Sequence, residues 1–321
     1  MNEIVILMGP PGCGKSTLAR EKFPEHRRIN RDDIGGHTTS VDAPIYQMMR
    51  TLHKMGETKF ILDNTHPTRQ NRSIAVTVAK ELGFPIKCYW VEADIGNAQF
   101  LSSWRQVQRF GTLPIVSDYK SAEEPWMFPP AAHFRYFKLF EEPSLDEGFT
   151  HVERIPFKFE VPDGYTNKAL ILDFDGTLRV CKSGDKWPVT HADIEVLPNC
   201  AEVLKRYKAE GYLLLGASNQ SGINRKPGEK GYLTAMLAAD LLFHTTDLLG
   251  VVFDAVMCAP DRGGPPQTFW RKPCTGIGAV YMERFKLNPA DCIKVGDMKT
   301  DQTFAARCGF QFEWAVDFFK E

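Results

Sequence analysis

The chain has 321 residues, of which 43% are hydrophobic and 25% charged, and its formal net charge is −1. That length admits two domains of about 150 residues each, and the balance is that of a globular chain rather than a disordered or fibrous one. A near-neutral total excludes a global basic field for nucleic acid, while leaving room for a local one.

In chain order, "IVILMG" (4–9) predicts a buried first strand, too short for an export signal or a membrane span. "KSTLAREKF" (15–23) predicts a helix, "FILDNT" (60–65) a strand, "NRSIAVTVAKELG" (71–83) a helix, and "IKCYWVEA" (86–93) and "FTHVERIPF" (149–157) two further strands. Pro, Asp-Gly and Asn in "EVPDGYTNK" (160–168) break the pattern, and the alternation then restarts. Strands are expected at "ALILDFD" (169–175), "YLLLGASN" (212–219), "FDAVMCA" (253–259) and "CIKVGDM" (292–298). Helices are expected at 200–211, 234–250, 276–286 and 301–309. Such alternation predicts two α/β domains with parallel sheets, residues 1–160 and 169–321 joined by a linker at 161–168, with the chemistry at the strand ends. Eight scattered cysteines without a CxxC pair read as reduced thiols in a cytoplasmic protein. They also predict no structural zinc.

Gly9, Gly12, Gly14, Lys15 and Ser16 fill every fixed position of G-x-x-x-x-G-K-[ST], between a strand and a helix. The loop Gly9–Cys13–Thr17 would wrap the phosphates of ATP in backbone N–H groups, Lys15 would reach the β- and γ-phosphates, and Ser16 would hold Mg²⁺. "RINRDDIGG" (28–36) places two carboxylates after a strand, and one of them can act as general base toward an acceptor hydroxyl. "FILDNTHPTRQNR" (60–72) ends a strand at Asp63 and Asn64 and then supplies Arg69 and Arg72. Arg105 and Arg109 stand at i, i+4, suited to close over a triphosphate. The plain structural alternatives are that Asp33 caps a helix, Asp63 orders Ser16 or its water, and the arginine pair is solvated surface.

"GPPGCGKST", "INRDD", "LDNTHPTRQNR" and "RQVQRFGT" resemble, in the same order, the kinase half of phage-type polynucleotide kinase-phosphatases. The resemblance implies that Asp32 activates a 5′-hydroxyl of DNA or RNA, and that Arg109, with Arg105, belongs to a lid over the ATP phosphates. It departs where the family has an arginine after its Asp-Asp pair, since Ile34, Gly35 and Gly36 follow Asp33 here. Acceptor binding is therefore expected from Arg31, Arg69 or Arg72, with Asp63 and Asn64 beside them.

In the second half, D-x-D-G-T at Asp173 and Asp175 resembles the first motif of the haloacid dehalogenase superfamily. One carboxylate attacks phosphorus, and the second protonates the leaving alcohol and then activates water. The resemblance extends to Ser218 and Asn219 for the phosphoryl group, to Lys272, and to Asp297 and Asp301 as metal-site carboxylates. Mg²⁺ is thus expected among Asp173, Asp175, Asp297 and Asp301. The interval from Asp175 to Ser218 is too short for a large cap domain, and an open site suits a strand end.

A kinase at one end of a broken strand and a phosphatase at the other would make both ends ligatable. The expected function is therefore a bifunctional polynucleotide 5′-kinase and 3′-phosphatase, linked to a nucleic-acid ligase, away from membranes, with a homo-oligomer among the allowed states. Two rivals use the same residues: a small-molecule kinase fused to a small-molecule phosphatase, and an ATP-dependent module that binds nucleic-acid ends. Trp126, Phe134 and Tyr136, in an aromatic-rich stretch, are candidates for base stacking, with packed core as their plain alternative.

Overall fold

A computed structural model describes residues 2–35, 39–120, 127–262, 264 and 266–320. Gly36 and Trp126, both named above, lie outside them. The chain divides into two compact units. One is formed by Met1–Ser102 with Ala132–Phe159; the other is built on Glu160–Glu321 and takes in the stretch from Ser103.

The elements of the first half run β1 (Glu3–Met8), α1 (Lys15–Lys22), β2 (Arg27–Ile29), α2 (Arg31–Ile34), α3 (Pro44–Lys54), β3 (Lys59–Asp63) and α4 (Arg69–Leu82). They continue with β4 (Ile86–Glu92), α5 (Ile95–Phe110), α6 (Val116–Lys120), α7 (Ala131–Leu139) and β5 (His151–Pro156). The five strands form one parallel sheet in the order β2-β3-β1-β4-β5. Central β1 is buried on both faces, which explains its unbroken apolar run Ile4–Met8. On one side its core continues into Tyr46 and Met49 of α3 and Ala75 and Val78 of α4, and on the other into Ala19 of α1.

The second half runs β6 (Ala169–Leu172), β7 (Arg179–Cys181), β8 (Ile194–Val196), α8 (Cys200–Ala209), β9 (Leu213–Asn219) and α9 (Ala235–Leu249). It ends with β10 (Ala255–Ala259), α10 (Gly276–Phe285), β11 (Ile293–Gly296), α11 (Lys299–Cys308), β12 (Gln311–Trp314) and α12 (Ala315–Phe318). Its sheet is also parallel, in the order β10-β9-β6-β11-β12. β7 and β8 form only a two-stranded antiparallel ribbon after β6, so no large domain interrupts the sheet there. Both sheets reverse direction of growth at their first strand, which places a crevice at the carboxyl end of β1 and another at that of β6. Among the described residues no helix is long and apolar enough to cross a membrane.

Candidate active sites

In the first unit, β1 ends at Met8 and the chain turns through Gly9, Gly12 and Gly14 before α1 begins at Lys15. Gly12 (φ +80°) and Gly14 (φ +90°) lie in the left-handed region, and a Cβ on Gly12 would meet the Ser102 hydroxyl of α5. Glycine is thus required by backbone angle at both positions and by close approach at the first. His133 of α7 supports the same loop: its Nε2 lies 3.1 Å from the Pro11 carbonyl and 3.1 Å from Ser102 Oγ. Lys15 folds back over the loop, donating to the carbonyls of Gly9 (3.0 Å) and Pro10 (2.8 Å). Its Nζ is 3.7 Å from Cys13 Sγ, a thiol whose pKa burial pushes up. Ser16 is half-buried and Thr17 exposed at the start of α1.

Parallel pairing of Leu7 with Asp63 brings the end of β3 beside this loop. Asp63 is buried and accepts from Arg28 Nε at 2.7 Å, while Arg28 Nη1 reaches Asp33 at 2.7 Å. Asp63 is therefore the anchor of an Asp–Arg–Asp chain, and Asp33 is tied into it. Asn30 caps α2 by accepting from the Asp32 N–H at 2.6 Å, and donates to the Asp63 carbonyl at 2.6 Å. Asn64 accepts from the Arg31 N–H at 3.1 Å. The turn bearing Arg31 and Asp32 is fixed in this way at the carboxyl edge of the sheet, with the Asp32 carboxylate 40% exposed and 3.2 Å from Arg31 Nη2.

Arg72 and Arg69 differ from the sequence expectation. Arg72 is fully buried and bidentate to Glu147 (2.7 Å twice), with further bonds to the carbonyls of Glu141 and His66. That guanidinium has no face left for an acceptor. Arg69 bonds Asp146 at 2.6 Å and Ser144 at 2.9 Å, anchoring the same segment. Arg105 and Arg109 are exposed one turn apart on the part of α5 counted with the second unit. Tyr136 is buried core, whereas Phe134 is exposed. Sequence reasoning passed over His66, a buried residue at φ 43° whose Nδ1 lies 2.8 Å from the Leu7 carbonyl. Burial lowers its pKa to about 4.

In the second unit, Asp173 and Asp175 flank Phe174 as the chain leaves β6. Phe174 is fully buried over Gly216 of β9, where a Cβ would lie 2.6 Å from its ring. Gly176 has φ +80°, and a Cβ there would strike the Asp297 carboxylate, so the glycine of the motif makes room for that side chain. Lys272 Nζ lies 2.9 Å from Asp173 Oδ1 and 2.7 Å from Asp301 Oδ1. Lys294 of β11, absent from the sequence expectation because it sits inside a strand read as apolar, lies 3.1 Å from the same Asp301 oxygen.

Asp173, Asp297 and Asp301 each offer an oxygen within 4.8 Å of the other two. The buried Asp301 Oδ2 has no hydrogen-bond partner. Three carboxylates with one orphaned oxygen fit a hard divalent cation such as Mg²⁺. Burial, reinforced by Asp301, raises the pKa of Asp173 against the pull of Lys272. Burial and then Asp173 and Asp301 raise Asp297 to about 6. For Asp301 the burial penalty is outweighed by Lys294 and then Lys272, which hold it at about 2.

Asp175, expected as a further metal ligand, is not in that group. Its oxygens accept instead from Arg179 Nε (2.8 Å) and Gln220 Nε2 (2.9 Å). Arg179 is itself buried and held by the Leu241 carbonyl and Thr245. Gln220 also donates to Ser218 at 2.8 Å, so Ser218 and Asp175 share one orienting amide. Asn219, expected to hold a phosphoryl group, bonds both the N–H (3.0 Å) and the carbonyl (3.1 Å) of Lys272. It acts on the site through the lysine. The segments after β7 and β9 interlock nearby, with Arg225 over the Trp187 ring at 5.2 Å and Lys230 3.0 Å from Asp185.

Fold and residues together define a phosphoryl-transfer site in each unit: a P-loop of the nucleotide-binding type in the first, and a haloacid dehalogenase-type phosphatase centre in the second. Residues 4–106 match the family described as an AAA domain, and residues 168–319 match the family described as polynucleotide kinase 3 phosphatase. The chain thus joins an N-terminal P-loop kinase-type domain to a haloacid dehalogenase-like phosphatase domain, and the second of these matches the polynucleotide kinase 3 phosphatase family.

Among curated relatives, a bifunctional polynucleotide phosphatase/kinase of Schizosaccharomyces pombe is 28% identical over 158 residues, 49% of this chain. The chain spans only 34% of that relative's length. A probable D-glycero-D-manno-heptose-1,7-bisphosphate 7-phosphatase of Thermoplasma volcanium is 30% identical over 152 residues, which are 45% of this chain and 96% of that protein. Similar solved structures include a D,D-heptose 1,7-bisphosphate phosphatase from B. bronchiseptica complexed with magnesium and phosphate. It is 26% identical, with a TM-score of 0.39 over 46% of this chain and 79% of that one. A chain of the Pnkp1/Rnl/Hen1 RNA repair complex is 19% identical, with a TM-score of 0.34 over 98% of this chain and 95% of that one.

Proposed function

We propose that this chain repairs nucleic-acid ends: its kinase domain, residues 1–160, moves the γ-phosphate of ATP to a 5′-hydroxyl, and its phosphatase domain, residues 169–321, hydrolyses a 3′-phosphate. The observation that carries the reading is the match of residues 168–319 to the polynucleotide kinase 3 phosphatase family, on the same chain as a complete P-loop.

In the kinase reaction Lys15 leaves the Gly9 and Pro10 carbonyls for the β- and γ-phosphates, and the loop N–H groups take the remaining oxygens. Asp32 accepts the proton of the 5′-hydroxyl as its oxygen bonds to phosphorus and ADP departs. Arg31 and Asn64, at the same edge, are placed to orient the acceptor, and Arg105 and Arg109 are assigned to the nucleotide phosphates. Arg72 is not used.

In the phosphatase reaction an Asp173 oxygen bonds to phosphorus while the bond to the 3′-oxygen breaks, and that oxygen takes a proton from Asp175. Water then attacks the aspartyl-phosphate, its proton returns to Asp175, and phosphate leaves from Asp173. Lys272, between Asp173 and Asp301, balances the charge of the transferred group, and Ser218 donates to it. Asp173, Asp297 and Asp301 in the phosphatase site, and Ser16 in the kinase site, would hold Mg²⁺, which would supply further neutralisation of phosphoryl oxygens. Arg225 and Lys230, around Trp187, suit an anionic strand with a base to stack. The products, a 5′-phosphate and a 3′-hydroxyl, are the ends that a nucleic-acid ligase consumes.

A second reading, a sugar-phosphate phosphatase, is favoured by the 96% coverage of the Thermoplasma relative. Comparing kcat/KM for a 3′-phosphorylated oligonucleotide with that for a heptose bisphosphate separates the two. Preference for the oligonucleotide by about a hundredfold or more (roughly 2.7 kcal/mol) supports end repair, and the reverse preference overturns it.

A further inference from the structure

Lys294 is fully buried in β11, between Ile293 and Val295. An ammonium group there must be paired to be tolerated. Its Nζ donates to the Val295 carbonyl at 2.7 Å and lies 3.1 Å from Asp301 Oδ1, the oxygen that Lys272 meets at 2.7 Å. One oxygen of Asp301 thus receives two ammonium groups, and the other is buried without a hydrogen-bond partner. Asp301 is fixed by one edge and has no partner at the other, and it offers an oxygen within 4.8 Å of Asp173 and of Asp297.

Charge gives this arrangement a consequence. With both lysines protonated and the three carboxylates ionised, the cluster carries −1; without Lys294 it would carry −2. Lys272 already serves both Asp173 and Asp301. Lys294 therefore adds to a pairing that Lys272 already makes, and it brings a further positive charge close to where both a divalent cation and a phosphate must sit.

We propose that Lys294 is a positioning residue that shifts this centre's preference from cation toward phosphate: it holds Asp301 through Oδ1, weakens the site's attraction for a divalent cation and strengthens its hold on a phosphate dianion. The inference rests on the phosphatase reading of the site. A merely structural lysine would, when replaced, impair both ligands together. A charge acting on the site moves them in opposite directions.

The test uses the full chain and two probes, Mn²⁺ followed by electron paramagnetic resonance and orthophosphate by calorimetry, with Asp173→Asn to identify Mn²⁺ binding and Lys272→Met to identify orthophosphate binding at this centre. In Lys294→Met we expect Mn²⁺ to bind about tenfold or more tightly and orthophosphate about tenfold or more weakly, as for a unit charge removed at an effective dielectric near 20. Lys294→Arg should keep both affinities within about threefold of the parent, the charge being retained. Lys294→Gln, neutral but polar, serves in place of the methionine variant if that does not fold. Both ligands weakening together, or neither changing, overturns the proposal. If in the parent protein neither Mn²⁺ binding that Asp173→Asn abolishes nor orthophosphate binding that Lys272→Met abolishes is found, the phosphatase reading itself fails.

Discussion

Replacing Arg72 by methionine separates a structural arginine from an acceptor-binding one. Its guanidinium and the Glu147 carboxylate are 0% and 1% exposed and meet through two bonds of 2.7 Å. After Arg72→Met, Glu147 would keep only the Ser144 N–H at 3.1 Å and Arg69 at 3.8 Å. An uncompensated buried charge of this kind costs about 3–5 kcal/mol. At about 2–4 °C per kcal/mol for a domain of this size class, the melting transition of the first unit should fall by roughly 10 °C. Arg72→Met with Glu147→Leu removes both charges and should recover most of that loss. Differential scanning calorimetry of the full chain measures this, with the first unit's transition identified by its upward shift in Mg-ATP. An unchanged melting temperature in Arg72→Met, together with a raised KM for the acceptor strand, would refute the structural assignment.

Gly176→Ala forces a Cβ toward the Asp297 carboxylate at a left-handed backbone position. Phosphatase kcat should fall about a hundredfold, as for an ångström-scale misplacement, with kinase activity unchanged in the same preparation. Asn219→Ala leaves both backbone groups of Lys272 without their partner; a loss of about 1–3 kcal/mol from the second unit's stability is expected in urea titrations. His66 has its folded pKa lowered to about 4 by burial. The unfolded chain, at an ordinary histidine value near 6.5, therefore binds the proton first as pH falls. The stability this gives is complete above about pH 6.5 and lost by about pH 4, on the order of 3 kcal/mol. Asn tolerates the left-handed angle at this position, so His66→Asn should flatten that limb of the stability curve. A curve parallel to the parent's would refute the assignment.

What could be read from the sequence was local. The P-loop announces itself because glycine, lysine and serine must follow one another at fixed spacing, and the apolar runs of β1 and β6 are continuous because both faces of each strand are covered. Asp173, Lys272, Asp297 and Asp301 were each marked by strand ends, and the fold gathers them. Arg72 was misjudged because a basic residue at the start of a helix looks like surface, and its partner Glu147 lies 75 residues away. Lys294 left no signal, since a single lysine in an apolar strand gives no hint of which carboxylate it meets. Asn219 and Asp175 are marked by their motifs, but motifs do not specify which atoms are already engaged. Asn219 binds the Lys272 backbone, and Asp175 faces Arg179 and Gln220.

On the proposed function, one chain performs two phosphoryl transfers at opposite ends of a strand. The measurement is mass spectrometry of a single oligonucleotide bearing a 5′-hydroxyl and a 3′-phosphate, incubated with ATP and Mg²⁺ and the parent protein, Asp32→Asn or Asp173→Asn. The parent should yield a 5′-phosphate and a 3′-hydroxyl, Asp32→Asn only the 3′ change, and Asp173→Asn only the 5′ change. An oligonucleotide left intact at both ends by the parent, while ATP or a sugar phosphate is turned over, would contradict the account.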